Sequence, residues 1–211
     1  MKIRSVNELS DFLDTEMSWR KRELITIRFM ILDCKGDRQR ILLRSGFCLL
    51  YAHWEGFIKN SATYYLHLLA YKGLRYDELN EGLVALCLRR HMESTDKSTK
   101  IRSHLKITTF FLSQSSEKAK IPLDGIETHD NLKEEYFTDI LNVLCLDRTK
   151  YESKFPLLDA RLLKSRNEIA HGEENNPDFI DYDSVYEAIK YMIETFRNDL
   201  LNSAQSQSYK R

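Results

Sequence analysis

Apolar residues recur at helical spacing along most of the 211-residue chain. The first such run predicts a helix over residues 5–33. Ser5 followed by Glu8 forms a capping-box pattern at its start. Gly36 is the expected stop, because glycine readily adopts the left-handed conformation that ends helices. The chain therefore opens with a long amphipathic helix.

A second long helix is predicted over residues 38–72, ending at Gly73, and its centre is apolar on almost every side. Such a helix either lies at the centre of a helical bundle or also forms part of a subunit interface. Ser184 with Glu187 forms another capping-box pattern, which marks the start of the last helix. The remaining helices are predicted at about 77–91, 100–113, 132–146, 156–171 and 184–202.

Polar segments interrupt this helical pattern in the second half of the chain. Residues 92–130 are predicted to form a loop-rich insertion, with a turn marked by Pro122 and Gly125. Residues 204–211 are polar and are predicted to form a flexible C-terminal tail. We therefore expect one all-α domain over residues 1–203, with long N-terminal helices and a C-terminal helical hairpin.

The composition narrows the functional classes. Seven glycines and three prolines are too few for a turn-rich β fold. Formal net charge is zero, which argues against a large, sequence-blind nucleic-acid surface but leaves room for a local phosphate site. No P-loop, dinucleotide-binding or metalloprotease motif is present, so the sequence predicts neither a metal nor a cofactor.

The cysteines and the apolar runs indicate a cellular compartment. No two cysteines form a CxxC pair, and we expect buried thiols in a reducing environment rather than disulfides or a zinc site. The first residues lack the apolar centre of a signal peptide, and no run approaches the ~20 apolar residues of a membrane span. We expect a cytoplasmic protein without a membrane contact. The cysteines are Cys34, Cys48, Cys87 and Cys145.

The segment "LLKSRNEIAHGEENNPD", residues 162–178, carries the strongest candidate chemistry. One interpretation is an ordinary helix end, because Gly172 suits a C-terminal cap and the helix dipole favours a histidine there. An Arg-x4–6-His spacing is also expected about once by chance in such a chain. However, Asn167 and His171 are four residues apart and share a helix face, and Arg166 lies beside Asn167. An amide, a guanidinium and an imidazole therefore converge where a helix meets a loop.

"SRNEIAHG" resembles the signature of the HEPN superfamily (higher eukaryotes and prokaryotes nucleotide-binding), whose ribonuclease branch carries Arg-x4–6-His. Arg166, Asn167 and His171 match that pattern. The segments "WRKREL" (19–24) and "YAHWEGFIKNSATYYL" (51–66) are similar to the opening helices of a stand-alone prokaryotic HEPN group. The resemblance implies a HEPN-like helical bundle and a metal-independent endoribonuclease acting as a toxin or anti-phage defence effector.

The residue chemistry is consistent with that implication. An imidazole ordinarily titrates near pH ~6.5, so His171 can act as general base or acid. The forked, permanently charged guanidinium of Arg166 suits phosphate oxygens. Asn167 is expected to orient the imidazole or to donate to phosphate. RNA supplies its own nucleophile, the 2′-hydroxyl, so the expected products carry 2′,3′-cyclic phosphate and 5′-hydroxyl ends.

One motif supplies a single histidine, whereas this cleavage is better served by a base and an acid. The resemblance implies a homodimer in which both motifs line one cleft, and a two-fold axis would achieve this. An antitoxin or a defence-system protein is a further expected partner. His53 and Glu55 are candidates for a supporting role, although a buried structural histidine is the commoner outcome. Candidate RNA-backbone contacts are Arg89, Arg90, Lys97, Lys100 and Arg102, which otherwise form a solvated basic surface.

Three hypotheses remain open at this point. The first is the HEPN ribonuclease. The second is a non-catalytic HEPN module that binds nucleotides or dimerises within a larger complex. The third is a helical adaptor in which "RNEIAH" is only the end of a helix, since a fold by itself does not define an activity.

Overall fold

A computed structural model describes residues 2–96, 101–128 and 131–211 of the chain. Its first helix, α1, spans Val6–Leu32, and Ser5 is the N-cap, as the sequence predicted. The Ser5 hydroxyl accepts a hydrogen bond from the backbone N–H of Glu8 at 3.1 Å. The helix ends with Asp33 as its C-cap. Gly36 is not the stop of α1: with a φ of +63°, it is the first residue of the next helix.

Helix α2, Gly36–Lys72, ends at the left-handed Gly73 as predicted. It is buried along most of its length, and Trp54, Phe57 and Tyr65 are completely shielded from solvent. This burial follows from its nearly all-round apolar surface, which packs on α1, α7 and α8. α2 is therefore the central element of the bundle.

The last helix, α8, spans Phe179–Ser206 and is longer than predicted. Its N-cap is Asp178, whose carboxylate accepts from the backbone N–H of Asp181 at 2.7 Å. Ser184 lies inside the helix, and its hydroxyl donates back to the carbonyl of Ile180 at 2.8 Å. The predicted capping box of Ser184 and Glu187 is therefore wrong, because an aspartate six residues earlier already satisfies the first free N–H groups.

Helices α1, α2 and α8 pack closely around Gly46. A Cβ atom at this position would lie 2.7 Å from the Tyr182 ring of α8 and 3.1 Å from the Ile31 side chain of α1. The missing side chain thus allows the two neighbouring helices to approach α2. This three-helix core holds the segment that carries the motif.

The middle of the chain is more helical than predicted. Helix α3, Glu81–Asp96, extends into the region expected to be a loop, and it is preceded by a 3-10 turn at Tyr76–Glu78. The predicted helix at 100–113 is present: helix α4, Ile101–Thr109, continues as a π-helical segment over Phe110–Gln114. The predicted turn is confirmed by a backbone hydrogen bond of 3.2 Å from Gly125 to Pro122.

Helix α5, Glu134–Val143, leads to the helical segment that carries the motif. Helix α6, Phe155–Leu157, passes through a π-helical stretch, Leu158–Leu163, into helix α7, Lys164–Ala170. The predicted helix at 156–171 is thus present, but it contains a π-helical stretch that periodicity did not reveal. Such stretches often occur at functional sites in helices.

The C-terminal residues are packed against the start of α3. Tyr209 is buried, with 2% of its surface exposed, and its carbonyl accepts from the backbone N–H of Asn80 at 2.9 Å. The backbone N–H of Arg211 donates to the Glu78 carbonyl at 3.1 Å. The prediction of a flexible tail over 204–211 does not fit these contacts, because one buried tyrosine anchors a segment that is otherwise polar.

The predicted all-α class is confirmed. Within the described ranges no strand occurs, and the only β-type pairings are isolated bridges between Arg75 and Lys118 and between Leu79 and Lys210. No helix in the part of the chain that the structure describes has the length and apolarity needed to cross a membrane. All four cysteines are free, but the expectation of buried thiols is wrong: Cys34, Cys48 and Cys87 are half-buried and Cys145 is exposed.

Candidate active site

The Arg166 side chain is half-buried on α7 and lies over an aromatic ring of α2. The guanidinium carbon is 4.6 Å from the centre of the Tyr51 ring, a distance typical of a cation–π interaction. Tyr51 is buried, so its ring is a rigid platform. The packing of α7 on α2 therefore fixes one face of the guanidinium.

Two amide oxygens fix the guanidinium from the side. Arg166 Nη1 donates to Asn131 Oδ1 and to Asn167 Oδ1, both at 2.8 Å. Among the residues that the structure describes, no carboxylate forms an ion pair with Arg166. Amides and a tyrosine ring hold the side chain without neutralising it, so its positive charge remains available to an anion.

The Tyr51 hydroxyl is itself anchored. It accepts a hydrogen bond from the backbone N–H of Leu132 at 2.9 Å. Burial and, to a smaller extent, the nearby Glu55 carboxylate raise the pKa of Tyr51 to about 12, although the Leu132 N–H and Arg166 oppose the shift. The phenol therefore stays protonated at neutral pH. Glu55, one of the residues predicted to play a supporting role, contacts the site through Tyr51.

His171 is the C-cap of α7, and its side chain is exposed. Its backbone N–H donates to the Asn167 carbonyl at 2.9 Å. Gly172 follows with a φ of +78°, and its N–H donates to the Ile169 carbonyl at 3.1 Å. The helix end that the sequence predicted is therefore present, and it directs an accessible imidazole toward solvent.

The acidic loop after His171 is held in place by α2. Arg44 Nη1 donates to the Glu173 carbonyl at 3.0 Å and to the Asn175 carbonyl at 2.8 Å. The Asn175 side chain donates in turn to the Glu168 carboxylate on α7. The loop is thus fixed to the two helices that carry the candidate site.

These contacts define one face of α2, which we call the site face, formed by Arg44, Cys48, Tyr51 and Glu55. Burial raises the pKa of the Cys48 thiol, whereas the charges of Arg166 and Arg44 oppose the shift. Arg44, Tyr51 and Asn131 are members of the site that no sequence motif singled out. For α2 a signal was present, since residues 44, 48, 51 and 55 recur at helical spacing in an otherwise apolar helix.

His53 belongs to a different face of α2, which packs on α1. It is buried, with 2% of its surface exposed, and its Nδ1 lies 3.4 Å from Nη1 of the buried Arg20. Its Nε2 lies 3.0 Å from the Glu23 carboxylate, without the alignment of a hydrogen bond. Burial and the Arg20 charge lower the pKa of His53 despite Glu23. No contact in the described residues connects His53 to Arg166, which fits the structural role considered for this histidine.

The basic stretch is only partly described. Arg89 forms an ion pair with Glu127 at 2.5 Å, so its charge is balanced locally. The side chains of Arg90 and Arg102 lie outside the described residues, as do Lys97 and Lys100 entirely. Their proposed contact with an RNA backbone stays a prediction.

The helical bundle and the Arg–Asn–His helix end agree with the HEPN resemblance of the sequence. The family model described as RiboL-PSP-HEPN matches residues 15–202 of the chain. The protein therefore belongs to this HEPN family, and the predicted superfamily is confirmed. Searches of curated proteins and of solved structures gave no match. Family membership points to an RNase-like or nucleotide-binding function.

Proposed function

We propose that this protein is a metal-independent endoribonuclease that leaves 2′,3′-cyclic phosphate and 5′-hydroxyl ends. The observation that supports this most directly is the environment of Arg166, a half-buried guanidinium oriented by Tyr51 and two amides and paired with no carboxylate of the described residues. A charge held in this way is ready for a phosphate oxygen. The exposed imidazole of His171 follows on the same helix.

In the proposed reaction, His171 removes the proton from the ribose 2′-hydroxyl, whose oxygen attacks the adjacent phosphorus. Arg166 stabilises the negative charge of the five-coordinate phosphorane. The P–O5′ bond breaks, and the leaving oxygen takes a proton to become the 5′-hydroxyl. Asn167 already accepts from Arg166, so its amide nitrogen is the group left to donate to phosphate.

The leaving oxygen needs an acid, and we propose that the His171 of a second protomer supplies it. A two-fold homodimer would bring two copies of the α7 end to one cleft, with one imidazole as base and the other as acid. HEPN domains bind RNA and often dimerise, which supports this arrangement.

The proposal is tested by incubating the purified protein with RNA in the presence of EDTA. We expect cleavage by the wild type, a loss of at least ~10²-fold for His171→Ala, and a loss of ~10²–10³-fold for Arg166→Ala. Matched controls are His104→Ala, an exposed histidine on α4, and Arg161→Ala, an exposed arginine in the same helical segment that pairs with Asp181. Both controls should cleave like the wild type.

Cleavage that survives His171→Ala would remove His171 from the mechanism, and products with 3′-hydroxyl ends would rule out attack by the 2′-hydroxyl. Circular dichroism of each variant should show an unchanged helical signal, so that a loss of cleavage reports chemistry rather than unfolding. Mixed dimers of wild type and His171→Ala contain a single imidazole, so they should cleave far less than half as fast as the wild type if one shared cleft needs both.

A second candidate is a non-catalytic module that binds nucleotides or dimerises within a larger complex. One observation favours it: no side chain among the described residues hydrogen-bonds to the His171 imidazole, whereas catalytic imidazoles are usually oriented by a partner. Intact RNA after prolonged incubation, together with measurable nucleotide binding, would support this function.

We place the nuclease in a toxin or defence role, with an antitoxin or a defence-system protein as partner, on the strength of the family alone. The sharpest test of this setting is expression in a bacterial host. Growth arrest by the wild type and normal growth with His171→Ala at equal protein levels would support it.

A further inference from the structure

We propose that Tyr51 is a positioning residue for Arg166, a role that rests on the proposed nuclease function. Tyr51 contacts the guanidinium by one route and the loop that holds the guanidinium by another. The two routes start from the same buried side chain on the site face of α2.

The first route is the ring. Arg166 lies over the Tyr51 ring with its guanidinium carbon 4.6 Å from the ring centre. The negative face of the ring attracts the cation without accepting a proton or forming an ion pair. A carboxylate at this place would hold the arginine more strongly but would compete with phosphate for it.

The second route is the hydroxyl. The Tyr51 oxygen accepts from the Leu132 N–H at 2.9 Å, and the preceding residue, Asn131, accepts from Arg166 Nη1 at 2.8 Å. The hydroxyl therefore holds the backbone directly after Asn131, whose amide contacts Arg166. Arg166, Asn131 and Tyr51 form a closed set of contacts that joins α7, α2 and the chain leading into α5.

This arrangement assigns separate tasks to the two halves of one side chain. The ring sets the height of the guanidinium above α2, and the hydroxyl sets its sideways position through Asn131. Tyr51 does not reach the substrate itself, because it is buried and covered by Arg166. Its effect should appear in turnover rather than in substrate affinity, since it prepares a contact made in the transition state.

The first measurement is RNA cleavage under steady-state conditions. We expect Tyr51→Phe to lower kcat by ~5-fold, because it keeps the ring and loses one hydrogen bond. Tyr51→Leu, which loses both routes, should lower kcat by ~30-fold or more. KM should change less than about twofold in both variants. Tyr65→Phe is the matched control, since it removes a buried hydroxyl of the same helix that bonds to Ser203 at 2.7 Å.

The second measurement is chemical rescue of Arg166→Ala by free guanidinium, at concentrations well below those that unfold the protein. The vacated position above the ring should bind the added cation and restore part of the turnover. In the double variant with Tyr51→Phe the rescue should persist, because the ring is retained. In the double variant with Tyr51→Leu it should disappear.

Rescue that is equal with and without the ring would overturn the positioning role. If Tyr51→Leu folds poorly, the conservative variants still test it: equal turnover of Tyr51→Phe and Tyr65→Phe would overturn the role of the hydroxyl. A wild type that cleaves no RNA would overturn the nuclease proposal and this role with it. A cleaving wild type with full activity in both Tyr51 variants would overturn this role alone. The two failures are therefore distinguishable.

Discussion

Gly172 ends the motif helix in a backbone conformation that few residues adopt. Its φ is +78°, and a Cβ atom added there would meet nothing within 4 Å. The space is open, so the constraint on this position is the backbone alone. The conformation matters for the site because Gly172 directly follows the exposed imidazole of His171 and precedes the loop fixed by Arg44.

We predict that Gly172→Ala lowers the free energy of unfolding by ~1 kcal/mol, because a left-handed conformation disfavours a Cβ atom by about that amount. Gly172→Asn should lose less, since asparagine tolerates this conformation. Chemical denaturation would measure both. Gly36→Ala is the control: Gly36 has a φ of +63° and equally open space, but it lies at the start of α2. Both alanine variants should lose similar stability, whereas only Gly172→Ala should slow RNA cleavage.

At the residue scale, the sequence could identify the motif but not its surroundings. Arg166, Asn167 and His171 are close along one helix, so their spacing predicts that they converge. Tyr51 contacts Arg166 across more than a hundred residues of chain, and only the packing of α7 on α2 creates that contact. Asn131 lies in a loop, where no periodicity predicts the direction of a side chain.

The start of α8 shows how capping determines the extent of a helix. Asp178 accepts from the Asp181 N–H, whereas Ser184 lies one and a half turns inside the helix. Both residues are good N-caps by type, and the sequence pattern favoured the serine because Glu187 follows it. Because α8 begins earlier than predicted, the loop between the motif and α8 is short, and Arg44 holds it through two backbone carbonyls.

We predict that Asp178→Ala lowers the free energy of unfolding by ~1 kcal/mol, the typical effect of losing an N-cap. Ser184→Ala should change it by less than ~0.5 kcal/mol, because that hydroxyl bonds only to a carbonyl within its own helix. Thermal or denaturant unfolding would distinguish them. A larger loss for Ser184→Ala than for Asp178→Ala would contradict this assignment of the cap.

At the element scale, long helices with a clear apolar stripe were predictable, and their ends were less so. The start of α1 and the end of α2 agree with the predictions, since Ser5 and Gly73 are residue types that strongly favour helix caps. The π-helical stretch before α7 was not predictable, because it changes the hydrogen-bond register without changing which residues are apolar. Local pattern therefore predicts an element's existence better than its internal geometry.

A buried polar cluster joins α1 to α2 and makes the stability of the whole bundle sensitive to acid. Burial opposes ionisation of Glu16, but hydrogen bonds from Arg20, Asn60 and Tyr64 outweigh this and lower the pKa of the Glu16 carboxyl. Gly56 makes room for the cluster, since a Cβ atom there would lie 2.9 Å from Arg20.

His53 contributes in the same direction. Burial and the Arg20 charge lower its pKa, so the unfolded chain binds a proton at pH values where the folded protein does not. His53 therefore stabilises the fold above the pKa of an unfolded histidine, about 6.5, and this contribution is lost as the pH falls. Glu16 adds a similar loss at lower pH, below about 4.3, the value for an unfolded glutamate.

We predict that the free energy of unfolding decreases from pH 7 to pH 5 and that His53→Gln flattens this dependence, because glutamine does not titrate. His67→Gln should flatten it less, since burial also lowers the pKa of His67 but this side chain is only half-buried. Urea denaturation at several pH values would measure the slopes. A slope unchanged by His53→Gln would contradict the role given to the cluster.

At the scale of the molecule, the sequence predicted the all-α class and a central second helix, because both follow from periodicity. It did not predict that Arg20 would be buried, since an arginine on an amphipathic helix normally faces solvent. It also missed the docking of residues 207–211, where a single buried tyrosine outweighs a polar composition. The burial of Arg20 and the docking of the C-terminal residues both depend on contacts with residues that are distant in the sequence.

The docked end of the chain has a practical consequence for handling the protein. Tyr209 is buried next to Asn80, and the Arg211 N–H donates to Glu78, so residues 209–211 are held close to the start of α3. An affinity tag fused after Arg211 would therefore emerge close to the start of α3. A flexible spacer rich in glycine and serine would keep the tag from disturbing the packing of Tyr209.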